Sequence, residues 1–481
     1  MDSDIKKVLE IAFHPKAIAI VGASDNPNSS GYHYVRHCLD YGYPGHIYPV
    51  NPSKRSILSL KAYPDLSSIS ESVDYVICCL PASKVCGLLA ECPTRGVKVV
   101  HLFTGRLGET GRQEAKELEA EILQEARRLG IRLIGPNCMG IYHPRQGIAF
   151  DYDFPKEAGT IGATFQSGGA SSLLVRYGES HNLRFSKVIS YGNALDLDES
   201  DFLSYLAQDD ETKLIAAYFE GVRDGRKFIK ALGDAARAKP VIAIKGGRSI
   251  AGTKAAASHT AAIAGSEVVW RTVFKKTGAI IARDLSELVD FLAAFSFLPR
   301  IGGNRVGIIG GGGGNSVMSA DACEESGLIV PPLSPEIREQ LKSRVPEIWD
   351  WLGNPIDTST VVGTSIGIEE MIRMMALSPH FDFIIAILTE EAPFFEENWR
   401  ALIRGETEGI IKVFKEQLKP VIAVVNSGEI TSDRYQNWRW GFLAEQRAQL
   451  VAAHVPTYST IAEAAKAVRQ VIDYWQRKAE S

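Results

Sequence analysis

With 481 residues the chain is long enough for three domains of ordinary size, each burying its own core. Its 53 basic and 57 acidic residues are mixed along the sequence and leave a net charge of −4, so no footprint for nucleic acid or an anionic membrane is present, and a small molecule or a protein is the expected partner. The seven cysteines form no CxxC pair and read as reduced core residues, while the absence of a signal-like start or an apolar run of about 18 residues points to the cytoplasm.

The first domain, expected over residues 1–150, opens with a helix over 5–12 and a strand, Ala17–Val21. A glycine turn, Gly22-Ala23-Ser24, follows, and then a helix over 32–41. Strand, glycine turn and helix N-terminus together make a phosphate site. The spacing is not GxGxxG, and the second strand, His46–Val50, ends in Asn51-Pro52 where a dinucleotide site would carry an acid for a ribose hydroxyl, which disfavours an NAD-dependent oxidoreductase. Further strands over 75–80, 98–103 and 132–134 alternate with helices, which predicts a parallel sheet with right-handed crossovers. Their ends carry the turns Leu80-Pro81, Thr104-Gly105 and the segment around Asn137, on the rim where ligands of such sheets collect. The fold of such a domain does not by itself fix which nucleotide-like ligand it takes. Arg106 reads either as a clamp for a carboxylate or phosphate or as a solvent-facing side chain. His33 and His37, four apart on one helix, suit a metal only if further ligands converge, and no metal is expected.

The second domain, expected over 151–298, repeats the pattern. A strand runs into Ser167-Gly168-Gly169, whose amides can cradle a phosphate or simply turn the chain, and a helix is predicted over 171–180. The acids Asp196, Asp198, Glu199 and Asp201 read as helix caps. The strand Leu214–Phe219 ends at Glu220, on the same rim as the glycine turn. After a strand over 240–245 comes a stretch of Gly, Ala, Ser and Thr with one histidine, His259, before a helix that starts near Ser266-Glu267. Imidazole is suited to accept and pass on a phosphoryl group near neutral pH, although a lone histidine can equally bond its own loop.

Residues 255–266, with Ser258-His259-Thr260 at their centre, resemble the phosphohistidine loop of the NDP-forming acyl-CoA synthetases, relatives of succinyl-CoA synthetase. Ala261 departs from the glycine usual there, and Arg106-Leu107 from the usual Gly-Phe. The resemblance implies an α/β chain of three doubly wound units, a Rossmann-like CoA-binding domain followed by two flavodoxin-like domains. It implies that Gly22, Ala23, Ser24, Asn51, Pro52, Lys54, Leu80, Pro81 and Asn137 hold coenzyme A, that Ser167, Gly168 and Gly169 hold phosphate, and that His259 and Glu220 are catalytic.

The third domain, expected over 299–481, has a strand followed by five glycines, Gly310 to Gly314, and later strands over 383–388 and 420–425. A glycine run need not imply a ligand, and Trp349, Trp351, Trp399, Trp438 and Trp440 read as core or interface. No P-loop occurs and no region remains for an ATP-grasp module. In the family that module is a β subunit or an added part, so the resemblance implies an α subunit that forms acyl-CoA reversibly, with ADP/ATP or GDP/GTP and Mg2+ on an ATP-grasp partner in an α2β2 assembly, and a small organic acid as substrate. The competing reading is a non-catalytic regulator that senses CoA or acyl-CoA with the same fold.

Overall fold

The computed structural model describes residues 3–249, 251–252, 254, 266–426 and 437–480; His259 lies outside them. The chain forms two compact units, one built from residues 1–179 and 183–288, the other from 180–182 and 289–481.

The first unit holds two sheets. In one, β1 (Ala17–Val21), β2 (His46–Val50), β5 (Tyr75–Cys78), β6 (Val99–Leu102) and β7 (Arg132–Ile134) run parallel in the order β2-β1-β5-β6-β7, and the hairpin β3 (Ser56–Ile57) and β4 (Leu60–Lys61) lies in the β2–β5 connection. β1, β5 and β6 are buried along their whole length, as apolar runs covered by helices on both faces must be. Helices α1 (Ser3–Phe13), α2 (Ser30–Asp40), α3 (Val85–Glu91) and α4 (Gln113–Arg128) belong to this part. Ser29 caps α2, its hydroxyl accepting from the Tyr32 amide, so the helix starts two residues ahead of the predicted 32–41.

The other sheet has the order β13-β12-β11-β9-β10-β8, from β8 (Gly140–Tyr142), β9 (Ile161–Phe165), β10 (Phe185–Ser190), β11 (Leu214–Phe219), β12 (Val241–Lys245) and β13 (Ile280–Ala282), parallel except for β8. It carries α5 (Gly168–Glu179), α6 (Glu199–Gln208), α7 (Gly225–Ala238) and α8 (Glu267–Thr277); α9 (Leu285–Phe297) follows β13, and the division between the two units falls within it. α5 begins three residues earlier than predicted, because the Ser167 hydroxyl accepts from the Ala170 amide at 3.3 Å and takes both glycines into the first turn. Asp198 and Asp201 form a capping box on α6, whereas Asp196 is no cap: it pairs with Arg132 at 2.7 Å and accepts from the Leu133 amide, tying its segment to β7.

In the second unit β14 (Val306–Gly310), β15 (Phe383–Ile387), β16 (Val421–Val424) and β17 (Thr457–Tyr458) lie parallel in that order, with single bridges from Ile329 and Ile356 on the free side of β14. The glycine run serves the backbone there. A Cβ on Gly310, at φ 112°, would fall 1.8 Å from the Ile387 carbonyl oxygen. Trp399 is buried in the core, while Trp351 is 80% exposed. Among the described residues no helix is long and apolar enough to cross a membrane.

Candidate active site

In each sheet of the first unit, neighbouring strands whose connections depart to opposite sides leave a crevice at their carboxyl ends, β1 against β5 in one and β9 against β11 in the other. At the first, Gly22 has φ 90°, and a Cβ there would come within 3.1 Å of the Cys79 carbonyl. The amides of Gly22 and Ala23 both donate to the Val50 carbonyl, at 3.1 and 3.2 Å, and a Cβ on Gly31 would lie 2.0 Å from the Gly22 oxygen. This turn is therefore closed by its own backbone and by α2 pressed upon it. Asn51 joins the rim: its amide nitrogen donates to the Ala23 carbonyl at 2.7 Å and its oxygen accepts from the Ser53 amide at 2.8 Å. Lys54, exposed like Pro52, pairs with Asp25 at 3.0 Å. Leu80 is half-buried and Pro81 exposed, and the Thr104 hydroxyl donates to the Leu80 carbonyl at 2.8 Å. Ser24 accepts from the Asn26 amide at 3.0 Å.

The segment 135–140 then links this rim to the second sheet. Asn137, at φ 57°, donates its amide to the Thr104 carbonyl at 2.9 Å, and the Met139 amide donates to the Ser190 hydroxyl at 3.1 Å. A Cβ on Gly168 would stand 2.8 Å from the Met139 side chain, and one on Gly192 would stand 2.2 Å from the Pro136 oxygen. The start of α5 and the turn after β10 are thus packed directly on the Asn137 loop. Glu109 fixes the neighbouring loop, accepting from the amides of Arg106 and Leu107 and from Asn193 Nδ2 at 2.8 Å. Arg106 is exposed, with φ 67°.

At the second crevice Gln166, buried at the end of β9, accepts from the amides of Glu220 at 2.7 Å and Gly221 at 3.2 Å. The carboxylate of Glu220, itself buried, accepts from the Tyr218 hydroxyl at 3.3 Å. Lys245 donates to the Glu220 carbonyl at 2.8 Å and to the Gly246 carbonyl. Burial pushes the Lys245 pKa down to about 8, against the pull of the Glu220 charge. The glycine turn beside them is open at Gly169, where nothing lies within 4 Å of a Cβ position; the Ala170 amide donates to the Ser167 hydroxyl and the Ser171 amide to the Ser167 carbonyl, which leaves the amides of Gly168 and Gly169 at the helix start. A helix start of this kind presents N–H groups and the positive end of the helix dipole.

Gln166, Lys245, Glu109 and Asn193 were not singled out by sequence reasoning. The signal for the first two was a polar residue closing an apolar strand, at Phe165-Gln166 and Ile244-Lys245; the pairing of Glu109 with Asn193 had none, because it joins residues 84 apart. His33 and His37 stand 6.0 Å apart between ring centres, and among the described residues no third ligand joins them.

Residues 16–144 match the model of a CoA binding domain, and residues 158–295 that of a succinyl-CoA ligase like flavodoxin domain. The alpha subunit of ADP-forming acetate–CoA ligase II from Pyrococcus furiosus is 35% identical over 429 residues, 88% of this chain and 91% of that protein. The chain belongs to the NDP-forming acyl-CoA synthetase family. As in other members, the acid–thiol ligase fold is that of succinyl-CoA synthetase, and a regulator built on it is not favoured, since the relatives bear the names of ligases. An acetyl-coenzyme A synthetase from Ca. Korarchaeum cryptofilum, solved with phosphate and ADP, superposes with a TM-score of 0.82 at 30% identity over 98% of this chain and 97% of its own. The synthetase chain spans only 55% of a longer relative, ADP-forming acetate–CoA ligase I of Archaeoglobus fulgidus, to which it is 36% identical over 80% of its own length.

Proposed function

We propose that this ligase is the α subunit of an ADP- or GDP-forming acyl-CoA synthetase, that it binds coenzyme A on the rim from Gly22 to Asn137, and that it carries phosphate on His259. The observation that carries this reading is the joint at residues 135–140, which packs the rim of the first sheet against the open glycine turn of α5 and so brings the two crevices together. In the sequence we infer, a phosphate oxygen attacks the thioester carbonyl of acyl-CoA and the thiolate leaves, giving acyl phosphate and CoA. An imidazole nitrogen of His259 then attacks phosphorus and the carboxylate of the acid departs. The β-phosphate oxygen of ADP or GDP takes the phosphoryl group from the ring, which leaves as neutral imidazole. Ser167, Gly168 and Gly169 hold the phosphate during transfer, and Glu220, its backbone fixed by Gln166 and Lys245, orients the ring and balances its positive charge while phosphorylated.

The nucleotide half-reaction needs Mg2+ and a partner, an ATP-grasp β subunit in an α2β2 assembly; the length of the Archaeoglobus relative beyond the matched part supports this. Acetate, named in the relatives, is the first acid to test. The experiment is to assay ADP formation from ATP, CoA and acetate with the purified chain alone and after adding an ATP-grasp subunit. Activity only in the mixture is expected; full activity of the chain alone would contradict the division of labour. Calorimetry supplies the second arm, with CoA expected to bind and NAD not.

A further inference from the structure

Away from both crevices, three side chains of metal-binding type meet at the end of α1. His14 follows the helix, His143 follows β8, and Glu211 lies between α6 and β11; one ligand atom from each comes within 4.8 Å of the others. His143 is fully buried, and its Nδ1 stands 2.9 Å from the Phe13 carbonyl oxygen. A carbonyl only accepts, so Nδ1 carries the proton and Nε2 of the neutral ring is a bare lone pair. That lone pair has no hydrogen-bond partner and faces the Glu211 carboxylate at 3.4 Å, acceptor against acceptor. A cation between the two groups satisfies both.

We propose that His14, His143 and Glu211 bind one Zn2+ ion, which clips the end of the N-terminal helix to the edge of the second sheet. Two imidazoles and a carboxylate suit zinc, with solvent in a fourth position, and not calcium or magnesium, which take oxygen ligands. The Nδ1–H bond to the Phe13 carbonyl is the kind of outer contact that fixes a ligating ring. Glu10, 3.4 Å from His14 Nδ1, brings a second carboxylate to the edge of the group. Lys187 donates to Glu211 and Asp209, and Arg145 pairs with Glu211 at 2.9 Å, so the cations present act on the carboxylates and leave the His143 nitrogen bare. Stacking of Phe13 on Tyr205, 4.8 Å between ring centres, holds the end of α1 in register with α6.

The test uses the full chain, stripped with a chelator and titrated with Zn2+, then with Co2+ for its visible d–d bands. Wild type is expected to retain one zinc per chain, to show the absorption of four-coordinate Co2+, and to melt at a higher temperature with zinc. His14→Ala, at an exposed position that tolerates it, and Glu211→Gln should each weaken Zn2+ binding at least tenfold, on the order of what even outer contacts of such sites cost, while His33→Ala should not. Failure of the wild type to bind, equal affinity in all four proteins, or loss confined to His33→Ala would overturn the proposal. Ligase activity does not enter the readout, so this result stands or falls apart from the assigned function.

Discussion

The two crevices of the first unit are built on the same plan and finished differently. Both lie where the strand order reverses, and both follow an apolar strand with a glycine turn and a helix. At Gly22 the turn amides are consumed by Val50 and the helix is pressed onto the backbone through Gly31; at Gly169 the turn is left open and a buried glutamine carries the neighbouring strand end. A glycine turn is thus not one device. In the first sheet glycine allows backbone to touch backbone; in the second, Gly169 leaves space before a helix N-terminus, where we propose that the amides hold phosphate.

The sharpest way to break this contrast is to add one methyl group to each turn. Gly31→Ala places a carbon where the Gly22 oxygen already stands, and unfolding should become easier by about 3 kcal/mol, as for severe overpacking. Gly169→Ala enters open space and should change stability by less than ~0.5 kcal/mol. Denaturant melts of the two variants measure both; equal losses would show that the turns do not differ as described.

Next in size is Gln166→Ala, which removes the acceptor of two buried amides. A loss of about 2 kcal/mol is expected from leaving them unpaired, with turnover falling roughly tenfold or more as Glu220 loses its anchor. Unchanged turnover with lowered stability would make Gln166 a purely structural strut.

A smaller effect concerns Lys245. Its folded-state pKa, about 8, lies below the ordinary 10.5, so between these values the unfolded chain binds more protons and stability must rise with pH. Relative to Lys245→Met, the wild type should therefore gain stability as pH is raised from 8 towards 10, and the difference should flatten below 8. A difference that is constant with pH would mean that Lys245 is not held in a desolvated site. The smallest effect is expected at Lys54, whose ion pair with Asp25 is about half-exposed: Lys54→Ala should shift unfolding by less than ~0.5 kcal/mol, whatever it does to CoA affinity.

Much of the fold was legible because buried parallel strands are written as continuous apolar runs, and runs such as Ala17–Val21 and Leu214–Phe219 could be read directly. α5 starts ahead of its predicted position because a serine cap and two glycines have the composition of a loop, and only the bond from the Ala170 amide to the Ser167 hydroxyl marks them as helix. Glu220 could be placed on the rim from strand length alone. What surrounds that rim, Gln166 beneath it and residues 135–140 beside it, depends on contacts between segments distant in sequence, as in Gly192 against Pro136 or Met139 against Gly168, and periodicity carries no trace of such meetings.

The central claim, that phosphate passes through His259 beside Glu220, is tested most directly by labelling. The chain, assembled with an ATP-grasp subunit and given Mg2+ and ATP labelled in its γ-phosphate, should acquire base-stable, acid-labile phosphate. His259→Asn should acquire none while still binding CoA, and Glu220→Gln should label on the order of ten- to a thousandfold more slowly. Equal labelling of the His259→Asn chain would contradict the account.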